Sequence, residues 1–438
     1  MSKQALDFFF NTIPIEKIEK NCMPIYTTME VPVELNLPIG EIQAMETKEF
    51  ENYIEKVRVF FLDKYEKENI PLGGQNATLE KIIHNFKQLI SLDINDPKVF
   101  YMEGKDKILK GYNNSGNSVN HWFPEMRDVT LTSGKNTVKY SIIGQLRDLP
   151  LYKKKAERIL LKDSLKMYKK SDQLMFPTFA NCIKVVTGAQ PLTNIRVPVA
   201  KWIYQSTILT EDKDEYIVFD PSAGWAGRLI AFLASSSHPA MKGKRCVFIC
   251  TDPNKVIFER YGMIVRFWKK YVDPGNKAKV YPICCGSEEF HKTEEFKRFK
   301  GRGNIVYTSP PYYNRERYSD DPEQSFRKFN TYEKWRDGFL KDTIQNAYDF
   351  LGEGGKFFWN VSNISVTKNI TYPLENDSVK IAKSIGFQYV EAIKMLMRNF
   401  PGRDQTDEKI EAMVKKGFNF IKTQGRWVKF ESIFHFIK

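Results

Sequence analysis

Two regimes of hydrophobic spacing divide the chain. In the first, apolar residues recur near every 3.6 positions. Ile42, Met45, Ile54, Val57, Phe60 and Phe61 predict a helix over 41–70, closed by Leu72-Gly73-Gly74. Ile82, Ile83, Phe86, Leu89 and Ile90 predict a second over 77–91. Residues 100–150 are mixed, with a polar loop over 111–117. A third helix, over 152–170, sets Leu160, Leu161, Leu165 and Tyr168 among Lys153, Lys154, Lys155, Arg158, Lys162, Lys166, Lys169 and Lys170. From about residue 190 the period changes. Short apolar runs at 216–220, 246–251, 279–284, 304–308, 355–361, 387–395 and 428–436 read as strands, with helices between them at 226–236, 254–270 and 333–350. Strands alternating with helices predict a doubly wound, mostly parallel α/β sheet.

Length and charge sharpen that division. A chain of 438 residues is long for one domain, and the expected split is an N-terminal, mainly helical accessory region over 1–150 and a second domain over 151–438. The first part carries a formal charge of −3 and the second +17. The basic excess therefore belongs to the part with alternating strands and helices, which is where a polyanionic partner would dock. The lysine-rich helix fits either a phosphate-contacting surface or a plain solvated face.

The cysteines at 22, 182, 246, 250, 284 and 285 form no spaced pair of pairs, and the five histidines are scattered. Neither a metal nor a disulfide is expected, so the expected setting is a reducing, cytoplasmic one. No apolar run reaches the roughly 20 residues of a membrane helix. The richness in Lys, Asn, Ile and Phe suits an AT-rich genome such as that of a virus or phage.

Four polar signals follow successive predicted strands. The first is Asp220-Pro221-Ser222-Ala223-Gly224-Trp225-Ala226-Gly227-Arg228, whose glycines permit close backbone approach to a ligand. The second, Thr251-Asp252-Pro253-Asn254, offers an acid suited to the two hydroxyls of a ribose. The third is Cys285-Gly286-Ser287-Glu288. The fourth, Thr308-Ser309-Pro310-Pro311-Tyr312, is a strand running into a rigid turn. In a doubly wound sheet ligands bind beyond the carboxyl ends of the strands. Singly these turns are weak signals, and Thr-Asp-Pro-Asn is often a plain helix cap. Their succession is what carries weight.

With these motifs in place, residues 190–438 resemble the class I S-adenosylmethionine-dependent methyltransferases that act on exocyclic amino groups of DNA bases. The resemblance implies a seven-stranded sheet ending in an antiparallel strand, here Lys429 to Phe436. It implies a cofactor site at Asp220, Pro221, Ala223, Gly224, Gly227, Asp252 and Ser287, with an additional cofactor motif over Asn194 to Tyr204 that includes Asn194 and Arg196. It implies catalysis by Ser309, Pro310, Pro311 and Tyr312. The chain departs from the family pattern at Ser222, Trp225 and Arg228, and at Ser287-Glu288, where an Asp directly after the glycine is usual.

The chemistry is coherent with that resemblance. A base amino nitrogen is a poor nucleophile because its lone pair is delocalised into the ring. Acceptors at the Ser309 hydroxyl and the Pro310 carbonyl would hold its two N–H groups and aim the lone pair at the methyl donor. Tyr312 is placed to stack on the ring, and a base in a duplex has to be flipped out to reach such a site. Residue 309 excludes neither cytosine N4 nor adenine N6, and cytosine N4 is the preferred expectation. DNA contacts are expected from Lys154, Lys155, Lys162 and Lys166 and from Arg315 and Arg317 after the catalytic turn. Target recognition could reside in residues 1–150 or in an insertion over 396–427. RNA or protein-amide acceptors, and an inactive DNA-binding subunit, remain the competing classes, and a place in restriction–modification goes with the leading reading.

Overall fold

The computed structural model describes residues 32–68, 78–110, 113–123, 142–160, 194–211, 213–315, 318, 321–365, 371–397, 406–415 and 417–438. Its helices are α1 (Thr47–Glu66), α2 (Leu79–Ser91), α3 (Leu149–Leu160), α4 (Val197–Thr210), α5 (Gly227–Ser236), α6 (Lys255–Phe267), α7 (Lys341–Phe350), α8 (Leu374–Ile385) and α9 (Asp407–Lys415), with shorter turns between. Its strands are β1 (Phe100–Glu103), β2 (Asp106–Lys110), β3 (Glu215–Asp220), β4 (Arg245–Thr251), β5 (Lys279–Ile283), β6 (Gly303–Thr308), β7 (Leu351–Val361), β8 (Ile364–Ser365), β9 (Thr371–Tyr372), β10 (Gln388–Leu396), β11 (Phe420–Thr423) and β12 (Arg426–Ile437).

One sheet dominates, in the order β1-β2-β10-β12-β7-β6-β3-β4-β5, with β11 paired to β12. Strands β3 to β7 run parallel, and β12 is antiparallel to both of its long neighbours. The central strands are buried along nearly their whole length, Tyr216 to Asp220 and Cys246 to Thr251 among them. Helices cover both faces of a parallel sheet, so its strands read as continuous apolar runs rather than as an alternation. That is why β3 to β7 were visible in the hydrophobic pattern.

The strand number needs correction: the sheet has ten strands, not seven. The hairpin β1–β2 adds to the outer edge through parallel pairing of Ile108 to Lys110 with Lys394 to Leu396, and β11 folds back on β12. Four- and five-residue strands of mixed polarity have no length over which a period can show, and nothing in residues 100–110 announces a partner almost 290 positions away.

The segment 79–123 packs directly onto this sheet's helical layer. Thr78 caps α2 by accepting from the Lys81 amide, and Ile82, Phe86 and Leu89 enter the same core as Val197, Phe267 and Trp268. Lys201, fully buried in α4, donates from Nζ to the carbonyls of Ile90 (2.9 Å) and Leu92 (2.6 Å) at the end of α2. A cation there satisfies carbonyls that a helix terminus leaves open and favours its negative end, while burial lowers the amine to about 8. A separate cluster joins α1 to α3 through Phe50, Ile54, Val57, Tyr152 and Ala156. Among the described residues no helix is long and apolar enough to cross a membrane.

Candidate functional site

The carboxyl ends of β3, β4, β5 and β6 open onto a single pocket of about 800 Å³. Its walls include Pro221 to Trp225, Asp252 to Asn254, Gly286 to Glu288 and Ser309 to Tyr312, so the four loops singled out in the sequence meet in space. Asn194, Arg196 and Arg315 also line it.

The loop after β3 is tied down from several sides. Asp220, fully buried, accepts from Arg228 Nε at 2.8 Å, and Arg228 Nη2 donates to the carbonyl of Ser222. The Thr251 hydroxyl donates to the Pro221 carbonyl at 2.6 Å, and the Ala223 amide donates to the Thr251 carbonyl at 3.0 Å. Gly224 has φ +50°, and a Cβ there would meet nothing nearer than 3.9 Å, so its backbone is open to a ligand. Its amide donates to Asp252 Oδ2 at 2.9 Å, and Tyr261 holds its carbonyl from the other side at 2.7 Å. Gly227 serves packing: a Cβ would lie 2.6 Å from Asn194 Oδ1. Asn194 itself donates to the Trp225 carbonyl at 2.9 Å. Asp220 and Gly227 thus shape the loop from behind, while Pro221, Ala223 and Gly224 face the pocket.

Asp252 stands at the pocket wall. Burial raises its carboxyl to about 6, against the amides of Asn254 and Gly224, which hold it down. At the end of β5, Ser287 is buried, and its hydroxyl pairs with that of Thr343 at 2.7 Å. The neighbouring Glu288 accepts from Lys328 Nζ through Oε1 at 2.9 Å, while Oε2 is buried without a partner. A buried acceptor left open is costly unless something completes it.

Beyond β6 the catalytic-type turn is held by aromatic packing that the sequence did not reveal. Tyr313 adopts φ +49°, unusual for a bulky residue. Its hydroxyl donates to the Asn330 carbonyl at 3.0 Å, and its ring sits 5.7–5.9 Å from Tyr332, Trp335 and Tyr372. Tyr332 and Tyr372 stack at 4.2 Å, and the Tyr332 hydroxyl donates to Asp377. Backbone strain of this kind persists where the surroundings over-determine it. Trp225, where the family has a different residue, packs between Phe123 at 5.5 Å and Tyr318 at 6.1 Å.

Of the expected DNA contacts, Lys154 is exposed on α3 and lies outside the pocket lining. The Lys155 side chain, Lys162, Lys166 and Arg317 fall outside the described residues. The sequence reading missed the far wall of the pocket, made by Asn360, Met395, Phe418, Asn419 and Glu431 from the later strands and the insertion. Asn360, Met395 and Glu431 lie within β7, β10 and β12, with Phe418 and Asn419 just ahead of β11, and only the strand order sets these segments beside the pocket.

No protein-family model matches the chain, and no curated protein matches it. Several solved structures are similar at low levels. A protein of Thermus thermophilus provisionally described as a DNA modification methylase shares 19% identity over 35% of this chain and 50% of its own, with a TM-score of 0.23. Precorrin-6y C5,15-methyltransferase of Geobacter metallireducens shares 14% over 54% of this chain and 87% of its own, with a TM-score of 0.29. The 1,6-didemethyltoxoflavin-N1-methyltransferase of Burkholderia thailandensis shares 11% over 55% of this chain and 77% of its own, also with a TM-score of 0.29. The chain spans half the length of the Thermus protein.

Proposed function

We propose that this protein is an S-adenosylmethionine-dependent methyltransferase acting on an exocyclic amino group of a DNA base, with cytosine N4 the favoured acceptor. The observation that carries this reading is the meeting of Gly224, Asp252, Glu288 and the Ser309-Pro310-Pro311-Tyr312 turn on one pocket. The donor set suits a nucleoside. Asp252 offers a carboxylate to ribose hydroxyls, the open backbone at Gly224 admits close approach, and the unpartnered Glu288 Oε2 is an acceptor for an adenine amine. Asn194 and Arg196 line the same pocket. When bound, the cofactor supplies an electrophilic methyl group on a sulfonium.

The residues of the chain do the rest. The Ser309 hydroxyl and the Pro310 carbonyl accept the two amino N–H groups of the target base and fix the direction of its lone pair. Pro311 holds that carbonyl rigid. Tyr312, nearly buried, gives the base a stacking face. Cytosine is favoured by the resemblance alone: in that family a serine before Pro-Pro-Tyr goes more often with cytosine N4, and Asp or Asn with adenine N6. Arg315 and the lysines of residues 154–166 contribute phosphate contacts, in keeping with the basic excess of 151–438.

The test is direct. The intact protein is incubated with methyl-labelled cofactor and, separately, DNA, RNA and protein, and labelled nucleic acid is digested to nucleosides for mass spectrometry. N4-methylcytosine in DNA supports the reading. N6-methyladenine replaces the base, label only in RNA or protein replaces the acceptor, and no label anywhere overturns the function.

Two further results are expected. Asp252→Asn should weaken cofactor binding in calorimetry by about 1–3 kcal/mol, the range for hydrogen bonds to a charged acceptor. Because the Asp252 carboxyl titrates near 6, wild-type affinity should rise as pH increases through that value and the carboxylate forms, and the Asn variant should show no such rise. In the free protein the linkage has the opposite sense. The stability that goes with the neutral form is complete below the ordinary 3.8 and is lost as pH rises through about 6.

Reversing Lys154, Lys155, Lys162 and Lys166 to Glu should lower DNA affinity for all sequences and flatten its salt dependence, with cofactor binding unchanged. An unaltered salt slope would leave that helix a solvated face.

A further inference from the structure

The far wall of the pocket holds an acid, Glu431, whose carboxyl takes no hydrogen bond among the described residues. Glu431 lies on β12 opposite Met395 of β10, just past the last pair of β12 with β7, Ser432 with Val361. Ser309 lies just past the last pair of β6 with β7, Thr308 with Trp359. The two residues therefore stand at the same end of the sheet, two strand spacings apart, about 10 Å across. Both line the pocket between them, and buried Asn360 of β7 stands on the same wall.

Among the described residues the Glu431 carboxyl makes no hydrogen bond or ion pair. The nearby Glu375 differs in that respect. Its oxygens take up Asn419 Nδ2 at 2.6 Å and Asn363 Nδ2 at 3.3 Å, which ties the insertion to α8. The charged groups facing Glu431 are Lys429 on its own strand, Arg196 ahead of α4, Arg315 after the catalytic turn and Glu375 on α8. Burial raises its carboxyl in spite of the three cations. A half-buried acid with no internal partner, set across a pocket from the catalytic turn, is a group that awaits a ligand.

We propose that Glu431 reads the ring edge of the target base, donating a hydrogen bond to the ring nitrogen next to the amino group held at Ser309 and Pro310. This rests on the amino-methyltransferase reading and adds to it the residue that grips the base from the other side. Cytosine presents N3 at that position and adenine N1, both acceptors, so the same donor serves either. An ionised carboxylate would repel that edge, and the neutral acid is the form that binds it. The hydrogen bond acts through binding and orientation, not by activating the amine, whose lone pair is conjugated with that ring nitrogen. It sets the ring plane, so that the geometry at Ser309 is reached in one orientation only.

The experiment compares intact protein, Glu431→Gln and Glu431→Ala. The substrates are mixed-sequence duplex DNA and methyl-labelled S-adenosylmethionine. Cofactor affinity is followed by calorimetry and folding by thermal unfolding. Glu431→Ala should lower kcat/KM for DNA by about 10–100-fold, the effect of one lost hydrogen bond to a reacting group, with cofactor affinity unchanged. Glu431→Gln keeps an N–H donor and should stay within a few-fold of wild type at pH values where Glu431 is protonated. The decisive readout is the pH profile: kcat/KM of the intact protein should fall on the alkaline side as Glu431 ionises, and Glu431→Gln should abolish that fall.

A fully active Glu431→Ala, or a Glu431→Gln that keeps the alkaline fall, overturns the proposal. If Glu431→Ala does not fold, the pH comparison of Glu431→Gln with wild type decides alone. If the intact protein methylates no DNA, the parent reading fails and takes this one with it. That result appears in the wild-type arm before any variant is compared.

Discussion

Arg228→Met is expected to be among the most destabilising single substitutions in the chain, at about 3–5 kcal/mol, the range for removing one partner of a buried ion pair. Arg228 is 5% exposed and Asp220 is wholly buried, and they meet at 2.8 Å at the end of β3. Burial pulls the guanidinium's pKa down, but the charge and hydrogen bond of Asp220 outweigh it and hold the group above its ordinary range. The same guanidinium braces the Ser222 carbonyl and lies 6.0 Å from the Tyr307 ring. Its loss leaves a carboxylate inside the sheet with the Ser222 amide as its remaining donor.

Denaturant unfolding should show the loss, and the double variant Asp220→Asn with Arg228→Met should recover part of it, because the stranded charge is gone. Arg228→Lys keeps the charge but not the planar fork, so it should fall between the two. Should Arg228→Met unfold at the same denaturant concentration as wild type, the pair is not what holds the loop after β3.

On the proposed function, Ser309→Ala should leave the fold and cofactor affinity intact while lowering turnover by roughly 10²–10³-fold, as when one preorganised hydrogen-bonding group is removed from a catalytic site. The separation follows from position. Ser309 follows the last residue of β6 and is not part of the hydrogen bonding around Asp252 or Gly224. Single-turnover methyl transfer measured beside calorimetry distinguishes the effects. A drop in cofactor affinity equal to the drop in rate would assign Ser309 to the cofactor, and unchanged turnover would remove it from the chemistry. In the same assay Tyr312→Ala should weaken DNA engagement by about 1–3 kcal/mol through lost base stacking. Mass spectrometry of the nucleosides, run on wild type, separates cytosine from adenine without disturbing either result.

How much was legible depended on what kind of signal each feature leaves in a sequence. Buried parallel strands leave apolar runs, so β3 to β7 could be placed within a few residues, while β10 and β12 were legible from their shorter apolar stretches. Turns at strand ends leave Gly, Pro and Asp, so the loops at 220–228, 251–254, 285–288 and 308–312 were legible as site candidates. The departures Trp225 and Arg228 were legible as departures, but their work was not. Trp225 fills a gap between Phe123 and Tyr318, and Arg228 neutralises Asp220 eight residues earlier. Ser287 was legible as a candidate and lines the pocket, but that its hydroxyl pairs with Thr343 while Glu288 beside it carries an open oxygen was not legible.

What the sequence by itself determined was therefore local: which segments are strands and helices, which turns can approach a ligand, and where positive charge accumulates. Periodicity and turn chemistry act over a few residues, so they are written in a few residues. The tertiary structure decided what is brought together across long separations. It added the β1–β2 hairpin to the edge beside β10 and seated Tyr313 among Tyr332, Trp335 and Tyr372. It also placed Glu431 across the pocket from Ser309, more than a hundred residues away in the chain. Those placements follow from strand order and the packing of one shared core, which depend on the whole chain at once and leave no mark at any single position.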